Sequence, residues 1–516
     1  MEADAGRKSV TFEAGGTTVE MICEVARDAA EVMIAEDALA GIDAAYDCLV
    51  RHAEGGQAIY GVSTGLGAAV DTRVAPSSGP SQYRIPRARA VGVGHFVEPD
   101  EVRAMMAARI ARFCLGYSGA SAAAVGALRD MLNRSVHPQV PMTGSIGEAD
   151  LPQLAHIALV MIGEGRAVLP DGTAVSGAEA LEAAGLSRPT FGIKDGLSLI
   201  SSNAASVGLA CLVLQDARRV FDAHIGATAL SFEGFRASLD PLDPLASRLR
   251  PSPGQARMAA AIHSLVDGGD LMKPGAARRL QDPLSLRCAP SVMGAAWYAL
   301  EEAWLAAELE LNSSDDNPSV IANEDRVLPT GNFDPTHMVL AFDTLSLALA
   351  RLAAMAAERM MKLMSPGFSD LPRFLAPAEP GSNGFSALQK TIAMLAAEIG
   401  HLALPMPFAV TPVADRVEDY ASLAMSVVDK TARLVEKLRY LTAIELIVAA
   451  RAIDLRGPVA LGNGAGVLFQ KIREAVPPLD VDRSPSEDIY AISDMIAAGS
   501  LVEPLLEVQH RHDSAS

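Results

Sequence analysis

The sequence predicts a mostly α-helical protein, a bundle of long helices packed at shallow angles. Three observations lead there. Apolar residues recur at helical spacing over long stretches, few segments alternate apolar and polar residues as strands do, and hydrophobic residues make up 50% of the chain while aromatics make up 5%. The longest periodic segments exceed the usual globular helix, which favours a bundle over a layered sheet protein.

Taken in order, Glu101 to Leu115 opens on acidic residues and keeps its apolar positions at helical spacing. Gly196 to Gln215 carries no charge and is long enough to span a bilayer. Ser198, Ser201, Ser202, Asn203 and Ser206 inside it predict instead a buried core helix with a polar N-terminal half. Val292 to Leu311, Met338 to Met364, Ser386 to Leu404 and Ala421 to Ala452 have the same helical period. Asp343, Arg351, Glu358 and Arg359 interrupt the second of these, as in a helix of a water-soluble protein. Gly and Pro punctuate the chain at Pro76 to Pro80, Val168 to Gly172, Pro251 to Gly254, Ser365 to Gly384 and Pro405 to Pro412; the first and fourth are long enough to be mobile loops near a site. A boundary near Leu230 to Pro253 divides a motif-rich lobe, residues 1–230, from a long-helix bundle and C-terminal helical region, residues 231–516.

With 516 residues the chain can bury a large core. Its net charge of -19 argues against a nucleic-acid surface and against binding to anionic membrane. The cysteines Cys23, Cys48, Cys114, Cys211 and Cys288 are scattered and odd in number, which predicts reduced thiols and a cytoplasmic protein. The N-terminus carries no apolar signal-peptide core. No metal site is expected: His95, His156 and His337 lack a second ligand at metal spacing, and Gly92 to Gly94 does not continue as a dinucleotide fingerprint.

Chemistry-bearing residues concentrate in short motifs. Tyr60-Gly61-Val62-Ser63-Thr64-Gly65-Leu66-Gly67 places a phenol before a Gly-rich turn, where it is free to take or give a proton. Gly144-Ser145-Ile146-Gly147 runs to Asp150-Leu151, and Gln281-Asp282 runs to Ser285-Leu286-Arg287-Cys288. Ser314-Asp315-Asp316-Asn317-Pro318 and Gly331-Asn332-Phe333 follow. In this order and spacing the motifs resemble the histidine and phenylalanine ammonia-lyase family, from about Ala58 to about Leu505. The resemblance implies the ammonia-lyase/fumarase-like fold, a homotetramer with shared active sites, a small-molecule substrate, and a methylideneimidazolone (MIO) prosthetic group made from an internal Ala-Ser-Gly.

At that tripeptide the chain departs from the pattern. Gly147-Glu148-Ala149-Asp150-Leu151 is one residue shorter and has neither the serine nor the glycine. Ser201 stands where the family has an asparagine that supports the group; Asn203, two positions on along a helix, is rotated by about 200° and is not expected to replace it. Leu284 and Ser291 replace a tyrosine and a glutamine. The expectation is therefore an enzyme with no cofactor.

Other positions keep the pattern. Tyr60 matches the catalytic tyrosine, and Arg287 the arginine that holds the substrate carboxylate, a role suited to a guanidinium fork. Asn332 and Phe333 keep the Asn-Phe pair, and Glu418 matches a glutamate near the substrate amine. Arg89 departs from the pattern: the resemblance sets this residue at the position that contacts the substrate ring, where the family has His, Leu or Phe. It either points inward as a second polar anchor or pairs with a carboxylate. Glu148 is that partner, a new general acid or base, or a solvated loop group. The candidate set is Tyr60, Glu418 and Glu148 for proton transfer, with Arg287, Arg89, Asn332, Phe333, Asn203 and Ser201 for substrate. The leading expectation is a cofactor-independent lyase-like enzyme performing elimination, conjugate addition, isomerisation or cyclisation of an activated carboxylate-bearing molecule. The alternatives are a catalytically silent binding or assembly subunit, and an amino-acid ammonia lyase or aminomutase.

Overall fold

The computed structural model describes residues 8–407 and 411–501; residues 408–410 of the Pro405–Pro412 loop and the last residues of the family resemblance lie outside them, as does most of the N-terminal segment expected to lack a signal peptide. The expected long helices stand at Pro99–Cys114, Ala289–Leu311, Thr336–Leu363, Leu388–Leu402 and Ala424–Arg456. The first begins where it does because Pro99 takes the first helical turn and Glu98 and Glu101 close a capping box. Every residue from Val102 to Cys114 is buried, including Arg103, Arg109 and Arg112. A helix covered on all sides belongs to a core, and its three guanidinium groups must find partners there.

The expected helix over Gly196 to Gln215 is broken. A short helix, Asp195–Ser198, is followed by non-helical residues, and a second helix runs over Ala204–Phe235. The reason is local. The Asp315 carboxylate accepts the Asn203 N–H at 2.6 Å and the Ser202 hydroxyl at 2.7 Å, and Ser202 Oγ in turn accepts the Ala204 N–H at 3.1 Å. Side-chain acceptors that satisfy the first amides of a helix end the preceding turn and start the next.

Two compact units divide the chain. The first comprises Met1–Gln215, Ala303–Phe342 and Pro405–Asp429; the second comprises Asp216–Glu302, Asp343–Leu404 and Lys430–Ser516. Strands among the described residues are short and lie in the first unit: a parallel pair (Ser9–Phe12 with Glu31–Ile34), two antiparallel pairs (Val93–Phe96 with Pro141–Thr143, Ser319–Ile321 with Arg326–Leu328), and a small three-stranded sheet. The Ser319–Ile321 hairpin seats Val320 against Ala45, Cys48 and Leu49 of the Glu36–Glu54 helix, with Ile59 and Val62 completing the cluster. Ile59 and Val62 flank Tyr60, so this core anchors the loop that carries the phenol.

The second unit buries an ion pair within a largely apolar core. Arg359 bonds Glu445 through Nε at 2.6 Å and Nη2 at 2.9 Å, and Ser231 donates to the same carboxylate at 2.8 Å. Among the described residues one helix, Thr336–Leu363, is long and apolar enough in composition to cross a membrane, and it is the helix that carries Arg359.

Candidate active site

The floor of the site is an ion-paired frame in the first unit. Arg112 pairs with Asp315 and, at 3.2 Å, with Glu310; Arg109 pairs with Asp316 at 3.0 Å, and Lys194 lies 3.6 Å from the same carboxylate. Cations from two segments thus neutralise the two aspartates of the Ser314–Pro318 motif. Such a buried arrangement is costly to break from one side.

On this frame stands Asn203. Its Oδ1 accepts the Ala149 N–H at 2.9 Å, and its Nδ2 donates to the Phe333 carbonyl. The helical rotation expected to turn Asn203 away does not apply, because Ser201 to Asn203 precede the helix that starts at Ala204. Asn203 therefore carries the amide contact to the loop, while Ser201 is buried and donates its N–H to the Leu197 carbonyl at 2.9 Å. Asp150 locks the other end of that loop. Its N–H donates to the Ser202 carbonyl at 2.7 Å, and its carboxylate accepts from Ser206 N–H at 2.7 Å and from the hydroxyls of Ser206 and Ser145, each at 2.8 Å.

Two backbone positions shape the loop. Gly147 has φ 90°, and a Cβ there would lie 2.2 Å from Ser422 Oγ and 2.6 Å from Leu423 N, so the close approach to residues 422–424 requires glycine. Ala149 has φ 65°, a left-handed conformation that an L-residue adopts at a cost of about 1–2 kcal/mol. The Asn203 bond to its N–H holds it there.

Tyr60, Arg89 and Glu418 share one electrostatic neighbourhood. Burial lowers the pKa of the Arg89 guanidinium, and the opposing influences are Tyr60 and Glu418. Arg89 also bonds its own chain, Nη1 to the Ile85 carbonyl, at 3.4 Å. The Tyr60 oxygen accepts the Gly67 N–H at 2.9 Å, which leaves its proton available to a third group. Gly61 is needed behind it: φ is 71° and a Cβ would meet Leu197 and Leu66 at 2.5 and 2.7 Å. Glu418 sits in a turn closed by a reciprocal pair of backbone bonds with Val413, at 2.9 and 3.3 Å.

Glu148 accepts the Ser422 N–H at 2.9 Å, so the structure ties it to that backbone and gives Arg89 the Tyr60 and Glu418 neighbours. Burial, then the Asp334 charge, push its carboxyl from 4.5 up to about 7, against the Ser422 hydrogen bond, which lowers it. A carboxyl poised at neutrality can give or take a proton. Because folding favours its protonated form, its contribution to stability is complete below the unfolded value near 4.5 and is lost as pH rises through about 7. In Glu148→Gln this pH dependence is expected to disappear. Urea midpoints at several pH values between those limits test it; a slope unchanged from wild type would remove Glu148 as its source.

Phe333 enters through its carbonyl, and Asn332 in the same turn is exposed. Arg287 lies in the second unit, half-buried, its Nε donating to the Asp282 carbonyl at 2.7 Å. The sequence reading missed Ser422 and Asp334 around Glu148, and Arg109 and Arg112 beneath Asn203. The signal for the last two was present, as basic residues within an otherwise apolar helix facing a motif with paired aspartates. Glu148 and Ala149, the residues between Gly147 and Asp150, offer no serine hydroxyl to eliminate and no glycine nitrogen to close a ring. This segment does not fit formation of an MIO group.

A model of the aromatic amino acid lyase family matches residues 17–474. The chain is 34% identical over 499 residues to a histidine ammonia-lyase of Myxococcus xanthus, spanning 96% of this chain and 98% of that one. It is also similar to a solved ergothioneine degrading enzyme, ergothionase from Treponema denticola, in complex with desmethyl-ergothioneine sulfonic acid (TM-score 0.90, 31% identity, 96% of this chain and 99% of that one). Tyrosine aminomutase from Streptomyces globisporus matches with TM-score 0.91 at 28% identity over 97% and 98% of the two chains. These full-length likenesses correct two expectations. The histidine ammonia-lyase relatives point to an amino-acid ammonia lyase, and the reading of a cofactor-independent enzyme is withdrawn. So is the expectation of no cofactor, since the family resemblance implies the prosthetic group; the misfit belongs to residues 148–149 of this segment.

Proposed function

The chain belongs to the aromatic amino acid lyase family, and from that premise we propose that it is an amino-acid lyase that eliminates the amine from a substrate with a polar, imidazole-type side chain. The observation that carries this reading is the placement of Arg89 with Tyr60 and Glu418. A guanidinium at the position that the family resemblance sets against the substrate ring suits a ring with hydrogen-bonding edges better than bare phenyl. Two of the similar proteins act on or bind compounds of this kind by name, a histidine ammonia-lyase and an ergothioneine degrading enzyme.

In this reading Tyr60 takes a proton from the carbon adjacent to the one that bears the amine, as the carbon–nitrogen bond breaks and a carbon–carbon double bond forms. Its oxygen is oriented by the Gly67 N–H. Arg89 holds a polar edge of the substrate, and Glu418 attends the amine. Glu148, with a pKa near 7, is suited to return a proton to the departing nitrogen. Arg287 is assigned the substrate carboxylate on its motif. A homotetramer is part of the proposal, supported by Leu280 and Leu284, which are 92% and 63% exposed beside Arg287. A reducing, cytoplasmic setting is supported by five free cysteines.

The test is amine release from L-histidine, ergothioneine, L-tyrosine and L-phenylalanine by the purified full chain, with the conjugated acid product followed by its absorbance. Turnover is expected with an imidazole-bearing substrate. Release from the phenyl or phenol substrates alone, or from none of the four, overturns the reading.

A further inference from the structure

The Glu36–Glu54 helix carries Cys48 and His52 in its last turns, four residues apart and so on one face. Facing them is Asp325, at the turn between Ser319–Ile321 and Arg326–Leu328, held in a left-handed conformation with φ 49° and ψ 52°. Cys48 Sγ lies 3.6 Å from Asp325 Oδ1, and His52 Nε2 lies 3.5 Å from that same oxygen and 3.0 Å from the Asp325 carbonyl oxygen. One ligand atom from each residue lies within 4.8 Å of the others.

We propose that Cys48, His52 and Asp325 form a binding site for a zinc-type divalent cation, separate from the lyase site and independent of the chemistry proposed for it. The distances support this. Tetrahedral zinc with its usual bonds to sulfur, nitrogen and oxygen sets ligand atoms about 3.3–3.7 Å apart. The two measured sulfur–oxygen and nitrogen–oxygen separations fall in that interval. The outer partner is also present. His52 Nδ1 lies 2.5 Å from Gln57 Oε1, the acceptor that a ligating imidazole needs for its other N–H. With the proton on Nδ1, the Nε2 lone pair faces two oxygens of Asp325, and a cation among these atoms resolves the meeting of acceptors. Thiolate, imidazole and carboxylate together favour zinc or cobalt over magnesium or calcium.

One donor competes. Arg51 Nη2 lies 3.0 Å from Asp325 Oδ1, but the two side chains are 59% and 66% exposed, and an ion pair so open to water contributes little. On binding, the metal–sulfur bond forms as the Cys48 thiol releases its proton to solvent, and the Arg51 contact is displaced. The bound ion joins the helix to the hairpin that flanks it. Cys48 and Val320 belong to the apolar cluster that also holds Ile59 and Val62, so the clip stiffens the base of the Tyr60 loop.

The test uses the metal-free full chain titrated with Co²⁺ and then Zn²⁺. One equivalent of cobalt is expected to give a thiolate-to-metal charge-transfer band that zinc abolishes. Gln57→Ala is expected to weaken binding about 10–100-fold, and Cys48→Ser, His52→Ala and Asp325→Asn by more than that. Arg51→Ala is expected to tighten it. Cys48 is buried, so His52→Ala and Asp325→Asn carry the test if Cys48→Ser fails to fold. Absence of the band at saturating cobalt overturns the proposal, as does a band unchanged in folded His52→Ala and Asp325→Asn.

Discussion

Tyr60→Phe is expected to lower turnover of the substrate by about 10²- to 10⁴-fold, the range a positioned general acid or base supplies, while leaving the fold intact. The substitution removes one oxygen. The ring remains, and among the described residues the hydrogen bond lost is the one from Gly67 N–H, in a half-buried loop where water can replace it. The effect should therefore fall on kcat, with little change in urea midpoint. The measurement is kcat and KM on whichever imidazole-bearing substrate the wild type turns over. Retention of more than about a tenth of the wild-type kcat would take the proton-transfer role from Tyr60.

Asp315→Ala should have the largest effect on stability, about 3–5 kcal/mol. Asp315 bonds Arg112, the Ser202 hydroxyl and the Asn203 N–H, and its side chain is 1% exposed. Truncation leaves a buried guanidinium without its main partner and the start of the Ala204–Phe235 helix without its acceptor. Asn203 then loses the support that aims its amide at Ala149, so activity should fall as well. The checks are the urea midpoint and hydrogen exchange at the Arg103–Cys114 amides. Unchanged protection there would show that Arg112 and the helix start are satisfied without Asp315. Glu310→Gln is the milder control, since Glu310 is 11% exposed and Arg112 keeps Asp315.

Much of this was legible in the sequence. Helices were, because apolar periodicity over fifteen or more residues leaves few alternatives, as at Pro99–Cys114 and Ala424–Arg456. The family was, because five motifs kept order and spacing. The break at Ser201–Asn203 was not, because its cause, Asp315, lies more than a hundred residues away. For the same reason the direction of Asn203 was misjudged: a rotation rule for helices was applied to residues outside one. The role of Glu148 stayed open for want of its neighbours, Ser422 and Asp334, which only folding brings near. The cofactor reading went astray differently. It weighed the missing tripeptide and the replacements at Ser201, Leu284 and Ser291 above the likeness of the whole chain.

The cluster of Ala45, Cys48, Leu49, Ile59, Val62 and Val320 has a thermal consequence. What holds the Tyr60 loop at its base is hydrocarbon, and apolar contacts lose strength on cooling. The floor under Asn203 rests on buried ion pairs, and the cost of keeping those charges from water also grows on cooling. Chilling the protein is therefore expected to weaken the mounts of both the phenol and the amide.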